Sequence, residues 1–280
     1  MNYKVNELML KKIYEELEIG NSVCMVTLTE VKGSSPGKQG ATMAFFKDET
    51  ILGSVGGGMV EHCVINKCRE CLLSGEDLNF EYSLNSESME VTMNCGGYIK
   101  GYIKVFKPKP KILIIGAGHV GSALYKISKT LDFYSIIVDD RDEFANKQRF
   151  KDANEVYSGD IGKILQSINL NDNTYVVIAT RGYEKDIEAL RVIIDKDVSY
   201  IGMIGSKQKW RTLKSELLSE GVDENLLNSV YSPVGLNISS NDIDEIAFGI
   251  MAEILLVKNK GELSHRKDKK SIYTFYKEVL

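Results

Sequence analysis

The rhythm of apolar positions changes once along this 280-residue chain. Residues 3–18 space their apolar side chains as an amphipathic helix does. Val23–Val31 and Ala41–Phe46 read as strands, the second ending in a turn at Asp48-Glu49. Residues 59–73 return to helical spacing, and Leu78–Ser83 and Tyr98–Phe106 read as later strands. This part predicts a small α+β unit of mixed order. Then comes Phe106-Lys-Pro-Lys-Pro-Lys111, where alternating prolines and lysines favour an extended, solvated connector.

Beyond the connector the pattern is different. Lys111-Ile-Leu-Ile-Ile115 is a short apolar run of the kind buried on both faces of a parallel sheet. Similar runs fall at 134–138, 174–179 and 198–204, with weaker ones at 155–157 and 229–231. Helical spacing fills 119–130, 184–195, 206–219 and 242–258. Asp242 can cap the last of these, with Glu245 completing a capping box. Strands alternating with helices imply a parallel sheet wrapped on both faces. The fold expected is α/β: a Rossmann-like doubly wound sheet over 108–280, after a smaller α+β domain over 1–107.

Composition narrows the function classes. The formal net charge of −4 gives no basic face for nucleic acid. The longest apolar stretch, Ile246–Val257, has 12 residues and includes Glu253, whereas a membrane span needs about 20. The N-terminal residues mix charge with apolar side chains, unlike a signal peptide. Five cysteines, an odd number, then read as reduced thiols, and a cytoplasmic location is expected.

Gly116-Ala-Gly118-His-Val-Gly121 follows a strand and opens a helix, the context a dinucleotide fingerprint requires. Gly116 permits the tight turn, Gly118 lets a pyrophosphate approach, and Gly121 lets helix and strand pack. The N–H groups of the helix start face the anion. Asp139 lies 18 residues after Gly121, where a ribose-binding carboxylate belongs, and its charge would favour NAD over a 2′-phosphorylated ligand. The alternative is a Rossmann fold kept for packing, with its pocket adapted or empty. A sheet reversing at its first strand would put Thr180-Arg181-Gly182 beside the ligand, and Gly205-Ser206-Lys207 less directly. Arg181 fits either a phosphate or a surface salt bridge. His119 fits either a ligand contact or a polar filler at a helix start.

Three N-terminal segments stand out. Gly33-Ser-Ser-Pro-Gly37-Lys-Gln-Gly40 is a turn-rich loop. Gly53-Ser-Val-Gly56-Gly57-Gly58 precedes a helix, so its N–H groups and the Ser54 hydroxyl can face an anion. Glu61, in the first turn of that helix, is explained equally well by the helix dipole. Asn94-Cys95-Gly96-Gly97 presents a glycine-flanked thiol suited to metal, sulfur or ligand chemistry. Cys63, Cys68 and Cys71 match a [2Fe–2S] spacing, but on a helix they spread over about 140° and cannot wrap a cluster. They read as packed core thiols.

These segments together resemble the XdhC/CoxI family, the xanthine dehydrogenase accessory factors. The resemblance rests on Gly33-Ser-Ser-Pro36, Gly40-Ala-Thr-Met43, Gly53-Ser-Val-Gly-Gly-Gly-Met-Val-Glu61 and Cys95-Gly-Gly97. It continues in Ile115-Gly-Ala-Gly-His-Val-Gly121, Val138-Asp-Asp-Arg-Asp-Glu-Phe144, Tyr200-Ile-Gly-Met-Ile-Gly205 and Ser232-Pro-Val-Gly-Leu236. The 242–258 helix adds Ile246-Ala247 and Ala252-Glu253.

The resemblance implies a chaperone that binds molybdenum cofactor (molybdopterin) as cargo. It would assist the cofactor's sulfuration and pass it to an apo molybdenum hydroxylase, with sulfur from a cysteine desulfurase. A homodimer is expected as well. Carried over, Gly56, Gly57, Gly58, Glu61 and Cys95 become cofactor-site residues, with Cys95 as the metal-facing thiol. Many members have Cys where this chain has Met59, and a thioether cannot form a persulfide. Phosphate groups of the cargo would lie against glycine-rich loops of both domains. Two other readings stay open: an NAD-dependent oxidoreductase, kept alive by Asp139, and a nucleotide-sensing regulator.

Overall fold

The structure, a computed structural model, describes residues 3–33, 35, 37–83, 97–238, 240–265 and 267. The chain divides into two compact units, Met1–Lys109 and Pro110–Leu280, so the break follows the second lysine of the connector.

In unit 1, helix α1 (Tyr3–Glu18) leads into β1 (Val23–Lys32), β2 (Thr42–Phe45) and β3 (Ile51–Gly53). Helix α2 (Gly58–Ser74), β4 (Leu78–Ser83) and β5 (Tyr98–Phe106) complete it. The strands form one antiparallel sheet in the order β3-β2-β1-β5-β4. Alternation along β1 decides which helix each residue meets. Cys24, Val26 and Leu28 are buried with Val60, Val64, Cys68 and Cys71 of α2. Val23 is buried with Met9 and Ile13 of α1, on the other face.

Unit 2 begins with β6 (Lys111–Ile115), α3 (His119–Thr130), β7 (Tyr134–Asp139), β8 (Glu155–Ser158) and α4 (Ile161–Ser167). It continues with β9 (Thr174–Ile178), α5 (Tyr183–Ile193), β10 (Tyr200–Met203), α6 (Lys207–Ser219), α7 (Glu224–Asn228) and α8 (Ile243–Lys258). The sheet is parallel, in the order β10-β9-β6-β7-β8. Leu113 and Ile115 face a core shared with α4, α5, α6 and α7, while Ile112 and Ile114 face α3 and α8. This is the doubly wound Rossmann-like arrangement. The order reverses at β6, so a crevice opens past the C-terminal ends of β6 and β9.

The strand expected at 229–231 does not form. Tyr231 makes only an isolated parallel bridge to Gly202. The capping box at α8 is also rearranged. Asp242 accepts from the N–H groups of Asp244 and Glu245, but the Glu245 carboxylate reaches the N–H of Ser240 instead of returning to Asp242. Among the described residues no helix is long and apolar enough to cross a membrane.

Candidate functional site

In unit 2 the fingerprint glycines separate by the space around them. A Cβ on Gly121 would stand 2.0 Å from the Gly116 carbonyl oxygen, and one on Gly116 would stand 2.3 Å from that of Ala179. Both are therefore demanded by the fold itself. Gly118 is not: its φ is −70°, which any residue adopts, and a Cβ there meets nothing within 4 Å. It is the N-cap of α3 and provides no side-chain cap, so it leaves the N–H groups of the first helical turn unanswered by a capping side chain. Gly182, the N-cap of α5, is likewise uncapped and open. By contrast α4, α6, α7 and α8 are capped by Asp160, Ser206, Asp223 and Asp242.

Arg181 lies beside Gly182 and is exposed, with no ion pair or hydrogen bond among the described residues. The surface salt bridge considered for it is thus not formed. His119 is exposed at the start of α3. Behind the loop, the buried Asp186 accepts from Thr180 Oγ1 at 2.5 Å and pairs with Lys209. Lys209 was not legible as part of this edge, because only the fold brings α6 next to α5.

Asp139 stands at the end of β7, as its spacing predicts, but its carboxylate is 2% exposed and turned inward. It accepts from Ala117 N at 2.7 Å and from three N–H groups of Arg141 at 2.9–3.1 Å. Burial pushes this carboxyl up, but the bonds from Arg141 and Ala117 outweigh burial and hold it below its ordinary range. Asp139 latches the glycine turn to the second strand.

In unit 1 the turn before α2 runs through positive φ at Gly56, Gly57 and Gly58. Here the anion is supplied from within. Glu61 Oε2 accepts from Ser54 Oγ at 2.6 Å, Val55 N at 3.1 Å and Gly57 N at 3.3 Å. The dipole explanation for Glu61 was incomplete, since its carboxylate closes the loop. Two segments that look independent in the sequence meet beside this turn. Gly37–Thr42 and Gly53, Ser54 and Gly56 line one cavity of about 580 Å³, together with Asn6 of α1. Asn6 Oδ1 is buried there without a hydrogen-bond partner, and Lys38 brings an exposed cation. Neither residue carries a local sequence signal.

Cys95 lies outside the described residues. Cys24, Cys68 and Cys71 are buried. A hydrogen bond with Cys24, together with burial, pushes the Cys68 thiol far up. Burial pushes Cys71 up to about 11. Among the described residues no three His, Cys, Asp or Glu side chains gather as a metal site.

The XdhC Rossmann domain profile matches residues 112–254, just over half of the chain. The profile of the XdhC and CoxI family matches residues 17–83. The chain belongs to the XdhC/CoxI family. Among curated XdhC/CoxI relatives, it is 30% identical to the uncharacterized protein YqeB of Escherichia coli, over 85% of this chain and 44% of that protein. It is 25% identical to a Bacillus subtilis protein named as a probable xanthine dehydrogenase subunit, over 57% of this chain and 46% of that protein. The chain thus spans less than half the length of these two. It matches 87% of the Escherichia coli molybdenum cofactor insertion chaperone PaoD at 20% identity, over 89% of its own length. A crystal structure described as a xanthine dehydrogenase from Bacillus halodurans matches at TM-score 0.50 and 22% identity. It covers 97% of this chain and 99% of that one, a likeness of fold.

Proposed function

We propose that this chain is a cytoplasmic accessory factor that binds molybdenum cofactor, assists its sulfuration and delivers it to a xanthine dehydrogenase-like molybdenum hydroxylase. Membership of the XdhC/CoxI family supports the reading, as does similarity along most of both chains to a protein named as a molybdenum cofactor insertion chaperone. The observation that carries it is the cradle at Gly118, which the fold leaves empty and the protein does not cap. A phosphate of the cargo would accept from the first N–H groups of α3, with Arg181 as a bidentate partner. Within the first unit, the cavity beside Ser54 and Gly56 would by itself suit a ligand group that presents an N–H donor to Asn6. Cys95 would serve the sulfuration step, with a cysteine desulfurase as sulfur donor. The working unit would be a homodimer.

The NAD-dependent oxidoreductase reading drew its support from Asp139 as a ribose ligand. With that carboxylate occupied by the chain itself, the accessory role is favoured.

The test is co-expression with molybdenum cofactor synthesis, followed by pterin fluorescence, molybdenum content and activation of an apo molybdenum hydroxylase. The expected result is copurified pterin and activation, both lost in Gly118→Val, whose melting curve should match wild type. Cys95→Ala should retain less cofactor or block its sulfuration, whereas Cys68→Ala should lower stability by about 1 kcal/mol. Neither pterin nor activation with the wild-type protein would refute the role.

A further inference from the structure

The formal charge of −4 is not spread evenly over the surface. A groove of about 520 Å³ in unit 2 is lined by Lys126, Lys129, Arg149 and Lys151, and Asp152 is the acid among them. Lys126 and Lys129 lie near the end of α3, which leads into the start of β7. Arg149 and Lys151 lie in the segment that leads into the start of β8. The groove therefore opens at the N-terminal ends of the strands, opposite the crevice past β6 and β9.

The cations differ in what they already hold. Lys129 is paired with Asp152. Arg149 gives Nη1 to the Phe144 carbonyl at 2.8 Å, and its Cζ stands 5.1 and 5.4 Å from the Phe144 and Phe150 ring centroids. These contacts hold the guanidinium in place, and its Nε–Nη2 edge has no acceptor among the described residues. Lys126 and Lys151 are exposed, and among the described residues their ammonium groups make no ion pair or hydrogen bond. The walls are fastened together: Asp152 N donates to Tyr125 Oη at 3.1 Å, and the Tyr125 ring packs edge-on against Phe150 at 5.1 Å. The cationic positions are thus arranged before any partner arrives.

Two features select the anion. The end of α3 beside the groove is its carbonyl end, so it offers no row of backbone N–H groups to a compact phosphate. The cations stand on two segments, and the lysines ride on long, rotatable stems. That suits single carboxylates spaced along a chain and met one by one. We propose that this groove docks an acidic segment of a partner protein, with Arg149 as a bidentate anchor and Lys126 and Lys151 as further contacts. It lies away from the Gly118 turn, so it stands or falls apart from the cargo reading.

The probe is a fluorescent Gly-Glu-Glu-Gly-Glu-Glu peptide, compared with its glutamine counterpart by anisotropy on the full chain. Wild type should bind the glutamate peptide about tenfold more tightly, a preference that shrinks as salt screens exposed charges. Lys126→Glu/Lys151→Glu should lose the preference while melting as wild type does, and Arg149→Lys should weaken it. Lys11→Glu/Lys163→Glu makes the same change in net charge at exposed sites outside the groove and should keep the preference. No preference in wild type, its survival in Lys126→Glu/Lys151→Glu, or its equal loss in both double variants would overturn the proposal. So would a single-stranded oligonucleotide or inorganic phosphate bound more tightly than the peptide through the same two lysines. If sedimentation shows that Lys126→Glu/Lys151→Glu breaks up a wild-type oligomer, the occupant is a second copy of this chain and the proposal fails.

Discussion

Two glycine-rich turns lead into two helices, α2 and α3, and the chain treats them differently. At α2 the donors of the turn are answered from inside: Glu61 takes the Ser54 hydroxyl and two backbone N–H groups. At α3 the internal carboxylate, Asp139, takes a single donor of the turn, Ala117 N–H, its other bonds going to Arg141, and Gly118 supplies no side-chain cap. Both turns follow a strand and both look like anion sites in the sequence. Only at α2 does a side chain of the protein answer the helix-start turn as an anion. A glycine-rich turn before a helix is thus a statement about donors, and the structure decides whether the acceptor belongs to the protein or to a ligand.

The comparison can be broken at four points, in order of falling effect. Gly121→Ala should be the most damaging, because its Cβ would meet backbone rather than a yielding side chain. A loss of about 3 kcal/mol or more is expected, read as a lower thermal midpoint or as loss of a cooperative transition in unit 2. Glu61→Ala should cost about 1–3 kcal/mol by stranding the donors of the α2 turn. Glu61→Gln, which keeps an acceptor oxygen, should cost less in the same denaturant titration.

Acid should act on the other turn. The folded pKa of Asp139 lies below its unfolded value of about 3.9. Its contribution is therefore complete above about pH 4 and is lost as pH falls through the depressed folded value. Hydrogen exchange between pH 2 and 6 should show the 116–121 turn opening on the acid side, and Asp139→Asn should flatten that dependence. The smallest effect, with the opposite sign, belongs to Gly118→Ala. Its backbone is ordinary and its surroundings empty, so stability should rise by up to about 0.5 kcal/mol. A marked loss of stability there would mean that the fold, and not a ligand, requires Gly118.

Much of this architecture was legible before any coordinates. The helices at 3–18 and 119–130 and the strands at 78–83, 98–106 and 111–115 end where the pattern of apolar residues ends. Long runs that are buried on both faces, or on one stripe, leave little freedom. The omissions are short. Strand β3 has three residues, too few to show alternation, and α4 and α7 are brief helices set by Asp160 and Asp223 caps. The false strand at 229–231 was apolar but found only Gly202 to pair with. Spacing put Asp139 at the end of a strand and Glu61 in the first turn of a helix, and both stand there. It could not report that Arg141, two residues on, would consume the first, or that Val55 and Gly57 would consume the second. Hydrogen-bond partners are chosen by the fold after position is fixed, so occupancy is invisible to spacing. The same holds for Asn6 and Lys38, which join the Ser54 cavity from separate stretches of chain.

The unequal standing of the three fingerprint glycines has a consequence for lineages. In a descendant that folds but no longer handles the ligand, Gly116 and Gly121 would stay fixed by steric necessity. Gly118 would be free to drift, since a Cβ there meets nothing within 4 Å. The first and third glycines would then record the fold alone, and only the middle one would carry a trace of whether a ligand is still held.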